Sequence, residues 1–291
     1  KKVLMVAFHL PPSAASSGHL RPLGFARYLP SFGWSSIGLS ASVRAYSHTD
    51  PTSESLIPEN FPVHRAFALD ARRHFGIRGK YPPILAQPDR WAAWWPAAVY
   101  VGLRLIRRHK VQAIWSTYPI MTAHCVAHTL SRLSGLPWIA DFRDPVTSSV
   151  AERDRLTGST QIRWERRVLA RANYSVFTTQ GAMRSYAERY PKAYSEGRLK
   201  VISNGFDERD FAELPAYRSP AGGRPLHLVH AGVLYPSGRS PLPFFEALAK
   251  LRHSGFLAAH EIKVTLRASG SERQFGAELD RLGLREVVDL A

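Results

Sequence analysis

The sequence is short of cysteine and of long apolar runs. Among its 291 residues only Cys125 carries a thiol, which excludes a disulfide within the chain and fits a reducing compartment. The longest apolar stretch, residues 91–106, has about 16 residues, fewer than the roughly 20 that a helix needs to cross a bilayer. These shortages predict a cytoplasmic protein, which could contact the cell membrane only from its inner face.

Several motifs with known chemistry are also absent. The chain has no His-Glu-x-x-His, no paired cysteines and no Asp-x-Asp, so we expect no metal site. It has no Gly-x-Ser-x-Gly elbow of an α/β-hydrolase. Neither a Gly-x-Gly-x-x-Gly fingerprint nor a Gly-x-x-x-x-Gly-Lys loop occurs. A dinucleotide-binding fingerprint and a phosphate loop of this kind are therefore not expected.

Acidic residues are scarce relative to basic ones, and the net charge is +16. Residues 65–110 hold ten Lys or Arg and two Asp, so half of the net charge lies there, close to Trp91, Trp94, Trp95 and Tyr100. Basic side chains beside aromatic ones are typical of surfaces that meet anionic lipid headgroups. A simple solvated face fits equally well. Nucleic acid is a competing partner, but no recognition motif for it is present, which disfavours it.

Short apolar segments alternate with segments of helical periodicity in the first two thirds of the chain. This alternation predicts an open, parallel α/β sheet. The predicted strands are 2–8, 63–67, 113–116, 138–141, 174–178 and 200–202. The predicted helices are 21–29, 91–110, 120–133 and 162–172.

A change of composition marks a second domain. Residues 215–225 contain three prolines and Gly222-Gly223, as expected of a linker. Beyond them we predict strands at 226–230, 262–268 and 287–290 and helices at 241–253 and 272–282. We thus expect an N-terminal domain over 1–214, a linker over 215–225 and a partial C-terminal domain over 226–291.

Four loops after predicted strands have the composition of ligand-binding loops, which in open parallel sheets follow the carboxyl ends of strands. Residues 11–21 are mostly small and precede a helix, whose first amides can bind an anion. Residues 141–145 place two carboxylates and a guanidinium at a strand end. Residues 203–207 contain an Asn-Gly turn. Residues 230–239 place a glycine and an arginine before a helix, as a diphosphate site would.

These loops, taken together, resemble the family-4 group of retaining glycosyltransferases, which have the two-domain GT-B fold. The closest sub-group is the bacterial exopolysaccharide and capsule transferases. The matching segments, in order, are Pro11-Pro12 with Gly18, Arg21 and Pro22; Gly135 to Trp138; Asp141 to Pro145; Trp164 to Asn173; Asn204 to Asp207; and Gly232, Tyr235 and Arg239 to Pro241. The likeness covers nearly the whole chain.

The resemblance implies sugar transfer with retention from a nucleotide-diphosphate sugar to a saccharide acceptor, which is expected to be lipid-linked. It implies no metal and no cofactor, because the nucleotide sugar is a substrate. It places Arg239 on the donor diphosphate. It implies a catalytic role for Asp141 or Asp144, which would orient or deprotonate the acceptor hydroxyl. His19 and Arg21 would line the cleft. The complete set of implied binding residues is Gly18, His19, Arg21, Arg143, Asn204, Gly205, Gly232 and Arg239.

The resemblance also implies a carboxylate-rich donor motif beyond Ala291, and a chain without it is expected to bind donor poorly and to have little activity. Two alternatives stay open. A sugar-nucleotide epimerase also uses two α/β domains and would turn over donor without an acceptor. The second alternative is a non-enzymatic, basic protein that binds nucleic acid or membrane.

Overall fold

The computed structural model describes residues 1–14, 17–78, 80–146, 155–212, 225–234, 240–258, 261–270 and 272–291; at 155–157 it describes the backbone alone. The chain forms two compact units, Lys1–Phe211 and Ala212–Ala291. Of the predicted linker 215–225, only Pro225 is among the described residues, so the domain limits stay a prediction.

The first unit is built on one parallel sheet of seven strands in the order β3-β2-β1-β4-β5-β6-β7. Because the order reverses at β1, the loops after β1 and β4 flank a topological switch point. The strands are β1 Lys2–Val6, β2 Ser35–Ala41, β3 Val63–Ala66, β4 Ala113–Thr117, β5 Trp138–Phe142, β6 Tyr174–Phe177 and β7 Leu199–Val201.

Helices connect these strands and bury the sheet. They are α1 Leu20–Tyr28, α2 Ala71–His74, α3 Trp94–His109, α4 Met121–Ser134, α5 Arg155–Arg171, α6 Gln180–Arg189 and α7 Pro191–Ser195. The main core joins the sheet to α3, α4, α5 and α6 and includes the fully buried Trp94, Trp138 and Cys125. On the other face, α1 packs over β1. Beside it, an apolar groove of about 480 Å³ is lined by Phe25 and Trp115, among others.

Local chemistry explains where the helices end. Helix α4 ends at Gly135, whose φ of 72° lies in the left-handed region that favours glycine. Helix α3 carries Arg107, Arg108 and His109 in its last turn, where cations interact favourably with the helix dipole. The predicted helices and strands of this unit are confirmed to within a few residues, apart from the early part of α5.

Four further elements escaped prediction: strand β2, the short helix α2, and helices α6 and α7. Strand β2 reads Ser-Ser-Ile-Gly-Leu-Ser-Ala, with too few large apolar residues to stand out, yet six of its seven residues are buried. Gly38 is required there because a Cβ would lie 2.9 Å from the Phe61 ring. Helices α6 and α7 have polar sequences whose apolar positions are few.

The second unit contains a parallel sheet of three strands in the order β10-β9-β8. Its elements are β8 Leu226–Ala231, α8 Leu242–His253, β9 Ile262–Arg267, α9 Glu272–Arg281 and β10 Val288–Leu290. Phe245, Val264 and Phe275 form the centre of its core. The predicted α/β class is therefore confirmed for both units. Among the described residues, no helix combines the length and apolarity needed to cross a bilayer.

Candidate functional site

The carboxyl edge of the seven-stranded sheet gathers residues that are far apart in the sequence. Gly18 and His19 precede α1, Arg21 lies in its first turn, and Arg143 and Asn204 follow β5 and β7. Carboxyl ends of parallel strands meet at one edge, so the loops that follow them can share a site. The structure brings Gly18, Arg21, Asp141, Arg143 and Asn204 into one hydrogen-bonded cluster.

Arg21 and Asp141 form the centre of this cluster. Arg21 donates from Nε to Asp141 Oδ2 and from Nη2 to Asp141 Oδ1, each at 2.9 Å. The side chains are 8% and 0% exposed, so the pair is shielded from solvent. A two-point arginine–carboxylate contact of this kind fixes orientation as well as distance.

The same guanidinium reaches the loop after β7. Nη2 donates to the carbonyl of Ile202 at 2.9 Å, and Nη1 donates to the carbonyl of Ser203 at 3.1 Å and to Asn204 Oδ1 at 3.2 Å. Arg21 therefore holds the ends of β5 and β7 against the start of α1.

Asp141 has a second partner that the sequence did not indicate. Thr117, the last residue of β4, donates from Oγ1 to Asp141 Oδ2 at 3.0 Å. Both carboxylate oxygens are thus occupied and the side chain is fully buried. This is the geometry of a group that positions its neighbours, and the catalytic role suggested for Asp141 stays a prediction.

Arg143 joins two other loops to the same edge. It donates from Nε to the carbonyl of Tyr118 and from Nη1 to the carbonyl of Gly18, each at 2.8 Å. Burial lowers the pKa of Arg143, and the nearby carboxylates of Asp141 and Asp144 oppose this effect. Asp144 itself is exposed, so among the described residues it is the carboxylate of this segment that solvent or a ligand can reach.

The loop after β7 has a second attachment to α1. Asp207 accepts hydrogen bonds from the Arg27 guanidinium and from the Tyr28 hydroxyl, the latter at 2.9 Å. The hydrogen bond from Arg27 lowers the pKa of Asp207 to about 2. Gly205 is exposed between these two attachments, and Asn204, which accepts from Arg21, is exposed beside it. His19, half-buried, lies just before α1.

Thr117 and Tyr118 belong to the candidate site, but the sequence did not single them out. They belong to the segment Ser116-Thr117-Tyr118-Pro119, which leaves β4 at the switch point of the sheet. Their place next to the strand-order reversal is the signal that could have found them, because ligands bind to the loops at such a reversal. The reversal itself required knowledge of β2, which was not predicted.

The predicted donor loop lies in the second unit. Gly232 directly follows β8, and its φ of 140° is one that residues with a Cβ rarely adopt. Its amide donates to the carbonyl of Arg267 at 3.0 Å, which fixes the start of the loop. Arg239 lies outside the described residues, as does Tyr235. Within the described parts of both units, no three His, Cys, Asp or Glu side chains are grouped to hold a metal ion.

Comparisons with known proteins place the fold. No protein family and no curated protein sequence matches the chain. Among solved structures, HepE of Anabaena with bound UDP-glucose has a TM-score of 0.60 at 14% identity, over 100% of this chain and 68% of HepE. Sucrose-phosphate synthase of Thermosynechococcus elongatus has a TM-score of 0.64 at 13% identity, over 100% and 70%.

The lipopolysaccharide outer core galactosyltransferase WaaB has a TM-score of 0.60 at 11% identity, over 100% of this chain and 67% of WaaB. At such low identities these likenesses establish the architecture. The chain has the α/β GT-B fold, with Rossmann-like sheets, that its sequence motifs predicted.

Proposed function

We propose that this protein is a glycosyltransferase that moves a sugar from a nucleotide-diphosphate sugar to a saccharide acceptor, with retention and without a metal. The observation that carries the proposal is the cluster of Arg21, Asp141 and Arg143 at the carboxyl edge of a GT-B sheet, where ligands of such sheets bind. The likeness to HepE, a structure with UDP-glucose bound, supports the donor class.

In this reaction the bond between the anomeric carbon and the diphosphate oxygen breaks. A new bond from that carbon to the acceptor oxygen forms on the same face of the sugar. The negative charge develops on the leaving diphosphate, and the acceptor hydroxyl loses its proton. Stabilising the leaving group is the main electrostatic task, and cations and loop amides suit it.

Within this scheme the carboxylates have different tasks. Asp144 is exposed at the carboxyl edge and is the group that we assign to orient the acceptor hydroxyl and to help remove its proton. Asp141 is a positioning residue, since both of its oxygens are bonded to Arg21 and Thr117. The donor diphosphate is assigned to the loop that starts at Gly232 and to Arg239.

Donor binding is tested by thermal shift of the whole chain with uridine, guanosine and adenosine diphosphates and their sugar conjugates. We expect one nucleotide to raise the melting temperature of the wild type and of Arg273→Ala, but not of Arg239→Ala. Arg273 is the matched control because it is an exposed arginine of the same unit. Because the sequence predicts poor donor binding by this chain, the nucleotides are added at millimolar concentration, and the absence of any shift in the wild type at that concentration would contradict the donor assignment.

The acceptor requirement separates a transferase from an epimerase. We expect nucleoside diphosphate to be released only when a saccharide acceptor is present. Conversion of the donor sugar without any acceptor would instead identify an epimerase of the same fold. Binding of duplex DNA or RNA without nucleotide-sugar binding would identify the basic surface as the functional one.

We further propose that the acceptor is lipid-linked and that the protein meets it at an anionic membrane surface. The support is the segment 67–85, where large apolar side chains are exposed: Ile77 is 80% and Ile84 is 74% accessible. Exposed Arg72, Arg78 and Lys80 lie in the same segment. Cations beside exposed apolar side chains are suited to anionic headgroups above an acyl interior.

This surface is tested by co-sedimentation with vesicles of phosphatidylcholine alone or with 30% anionic lipid, the latter at two salt concentrations. We expect binding to anionic vesicles that weakens with salt and falls several-fold in Ile77→Ser/Ile84→Ser. The matched control is Phe256→Ser, which removes an equally exposed apolar side chain from the second unit. Equal loss in both variants, or no lipid binding, would contradict the membrane assignment.

A further inference from the structure

A second cavity opens beside the carboxyl ends of β1 and β2, apart from the cluster around Arg21. It has a volume of about 280 Å³ and is lined by Phe8, His9, Tyr46, Arg90 and Trp91, with serine, alanine and a second histidine completing the wall. Its described lining therefore combines aromatic rings with basic side chains and includes no carboxylate. None of these residues was singled out as a binding residue from the sequence.

The aromatic wall is held in place by hydrogen bonds. The Tyr46 hydroxyl donates to the carbonyl of Phe8 at 2.8 Å and accepts from Arg65 Nη1 at 3.1 Å. The rings of Phe8 and Trp91 lie 4.8 Å apart between centroids. A wall of fixed aromatic rings presents apolar faces to a ligand at little cost in conformational entropy.

Arg90 supplies the positive charge of this cavity. Its guanidinium carbon lies 4.3 Å from the centre of the Trp91 ring, which orients the group. The nearest carboxylate oxygen is Asp70 Oδ2, 3.4 Å from Nε, and neither of these two atoms makes a hydrogen bond within the described residues. Arg90 is thus held by stacking and a loose ion pair, and it has donors to spare.

The surroundings of His9 show that the local field is positive. His9 shares a 3.0 Å hydrogen bond between Nδ1 and Ser13 Oγ and lies against Tyr46 and Trp91. Burial lowers the pKa of His9 to about 4, and the charges of Arg143, His19 and Arg90 act in the same direction. Near neutral pH the imidazole is uncharged, so an anion in this cavity meets the Arg90 guanidinium and no carboxylate of the described lining.

We propose that this cavity binds an anionic sugar unit of the acceptor, with the ring against Tyr46 and Trp91 and the carboxylate or phosphate on Arg90. The inference rests on the proposed function, because it takes the ligand to be the acceptor of the transfer. The cavity adjoins the loop from β1 that leads to the Arg21 cluster. It goes further by naming the chemistry of the acceptor. A neutral sugar would leave the Arg90 donors unmatched, whereas an anion forms charge-assisted hydrogen bonds with them.

The test is direct titration of the whole chain, followed by calorimetry or ligand-observed NMR, with four probes: glucuronic acid, glucose 6-phosphate, glucose and inorganic phosphate. We expect one or both anionic sugars to bind about tenfold or more tightly than glucose and than phosphate alone. Which of the two binds identifies the anion as a carboxylate or a phosphate.

Three variants locate the site. Arg90→Met should abolish the preference for the anionic sugar, whereas Arg90→Lys should keep part of it. Arg104→Met is the matched control, since Arg104 is an exposed arginine beside the ring of Tyr100 and lies outside the cavity. Equal affinities for glucose and the anionic sugars, or a preference that survives in Arg90→Met, would overturn the inference.

Nucleotide binding, measured on the same samples, separates this inference from the proposed function. We expect Arg90→Met to keep any thermal shift with nucleoside diphosphates, because that site is assigned to the second unit. Anionic-sugar binding in a protein that binds no nucleotide would refute the donor assignment and leave the cavity as a saccharide site. Nucleotide binding without any preference for anionic sugars would refute the cavity alone.

Discussion

The Tyr186 hydroxyl donates a 2.7 Å hydrogen bond to the carboxylate of Glu165, and both side chains are fully buried. The same hydroxyl accepts a 3.1 Å hydrogen bond from the amide of Val146, two residues beyond Asp144. Glu165 also accepts from Arg189 and Tyr190. One phenol therefore joins α5 and α6 to the segment that carries Arg143 and Asp144.

Removing this hydroxyl should destabilise the fold. Tyr186→Phe removes the hydrogen bond that the Val146 amide donates and one that the buried Glu165 carboxylate accepts, so we expect the free energy of unfolding to fall by about 1–3 kcal/mol. Urea unfolding measures the change. Tyr194→Phe, at a 55% exposed position, is the control and should change stability by less than about 0.5 kcal/mol. Similar losses of unfolding free energy in the two variants would show that the buried hydrogen bonds do not stabilise the fold.

Replacing either Arg21 or Asp141 alone should lower the free energy of unfolding by more than the effect of the double substitution would suggest, because the two charges compensate each other. Arg21→Met or Asp141→Leu leaves one buried charge without its partner, which costs about 3–5 kcal/mol. A double-mutant cycle by urea unfolding should therefore give a coupling energy well above that of the exposed pair Arg281–Glu278, for which about 0–1 kcal/mol is expected. A coupling energy no larger than that of the exposed pair would contradict the assigned positioning role.

The sequence predicted the parts of this site that depend on position in a parallel sheet. Asp141 lies at the end of a recognisable strand, and Arg143 and Asn204 follow recognisable strands, so their meeting at one edge could be expected. The pairing of Arg21 with Asp141 could not, because it depends on the angle at which α1 leaves its loop. Strand β2 was missed because its burial comes from the neighbouring strands and from Phe61, not from its own small side chains.

The cavity around Arg90 lay beyond sequence analysis for a similar reason. Its walls come from the residues after β1, from the loop after β2 and from the residues before α3. Together these segments span about 80 positions of the chain. The aromatic residues of 91–100 were evident in the sequence, but they were interpreted as part of an exposed surface that meets lipid headgroups. In the structure Trp94 is fully buried and Trp91 faces the cavity, while Tyr100 remains exposed.

Stability should fall on acidification before the carboxylates titrate. Burial lowers the pKa of His124 to about 3 and that of His9 to about 4, both below the usual 6.5. Between pH 6.5 and about 4.5 the unfolded chain binds these protons and the native state does not. Each histidine should therefore lower the free energy of unfolding by about 1.4 kcal/mol for each unit by which the pH falls within this window.

Urea unfolding at several pH values in that window checks this expectation. His124→Asn should flatten the dependence on pH, whatever its effect on stability at pH 7. Val126→Ala is the control, because it truncates a buried side chain and removes no titratable group. It should lower the free energy of unfolding and leave its slope against pH unchanged. A slope that is the same in His124→Asn and in the wild type would contradict the assignment.

Two glycines of the predicted site should respond differently to alanine. Gly232 has a φ of 140°, so Gly232→Ala should destabilise the second unit by about 1–3 kcal/mol and disturb the donor loop. Gly205 has no heavy atom within 4 Å of a built Cβ and no positive φ, so Gly205→Ala should be nearly neutral. Thermal unfolding compares the two. A neutral Gly232→Ala would show that this loop does not need glycine.

The central claim, retaining transfer of a sugar from a nucleotide donor, is tested most directly by proton NMR of the reaction mixture. The mixture contains the nucleotide sugar that stabilises the protein and a saccharide acceptor of the class that it binds. We expect nucleoside diphosphate and a new glycoside in equal amounts, with an anomeric coupling of the same type as in the donor. A glycoside of inverted configuration, or loss of donor without any glycoside, would contradict it.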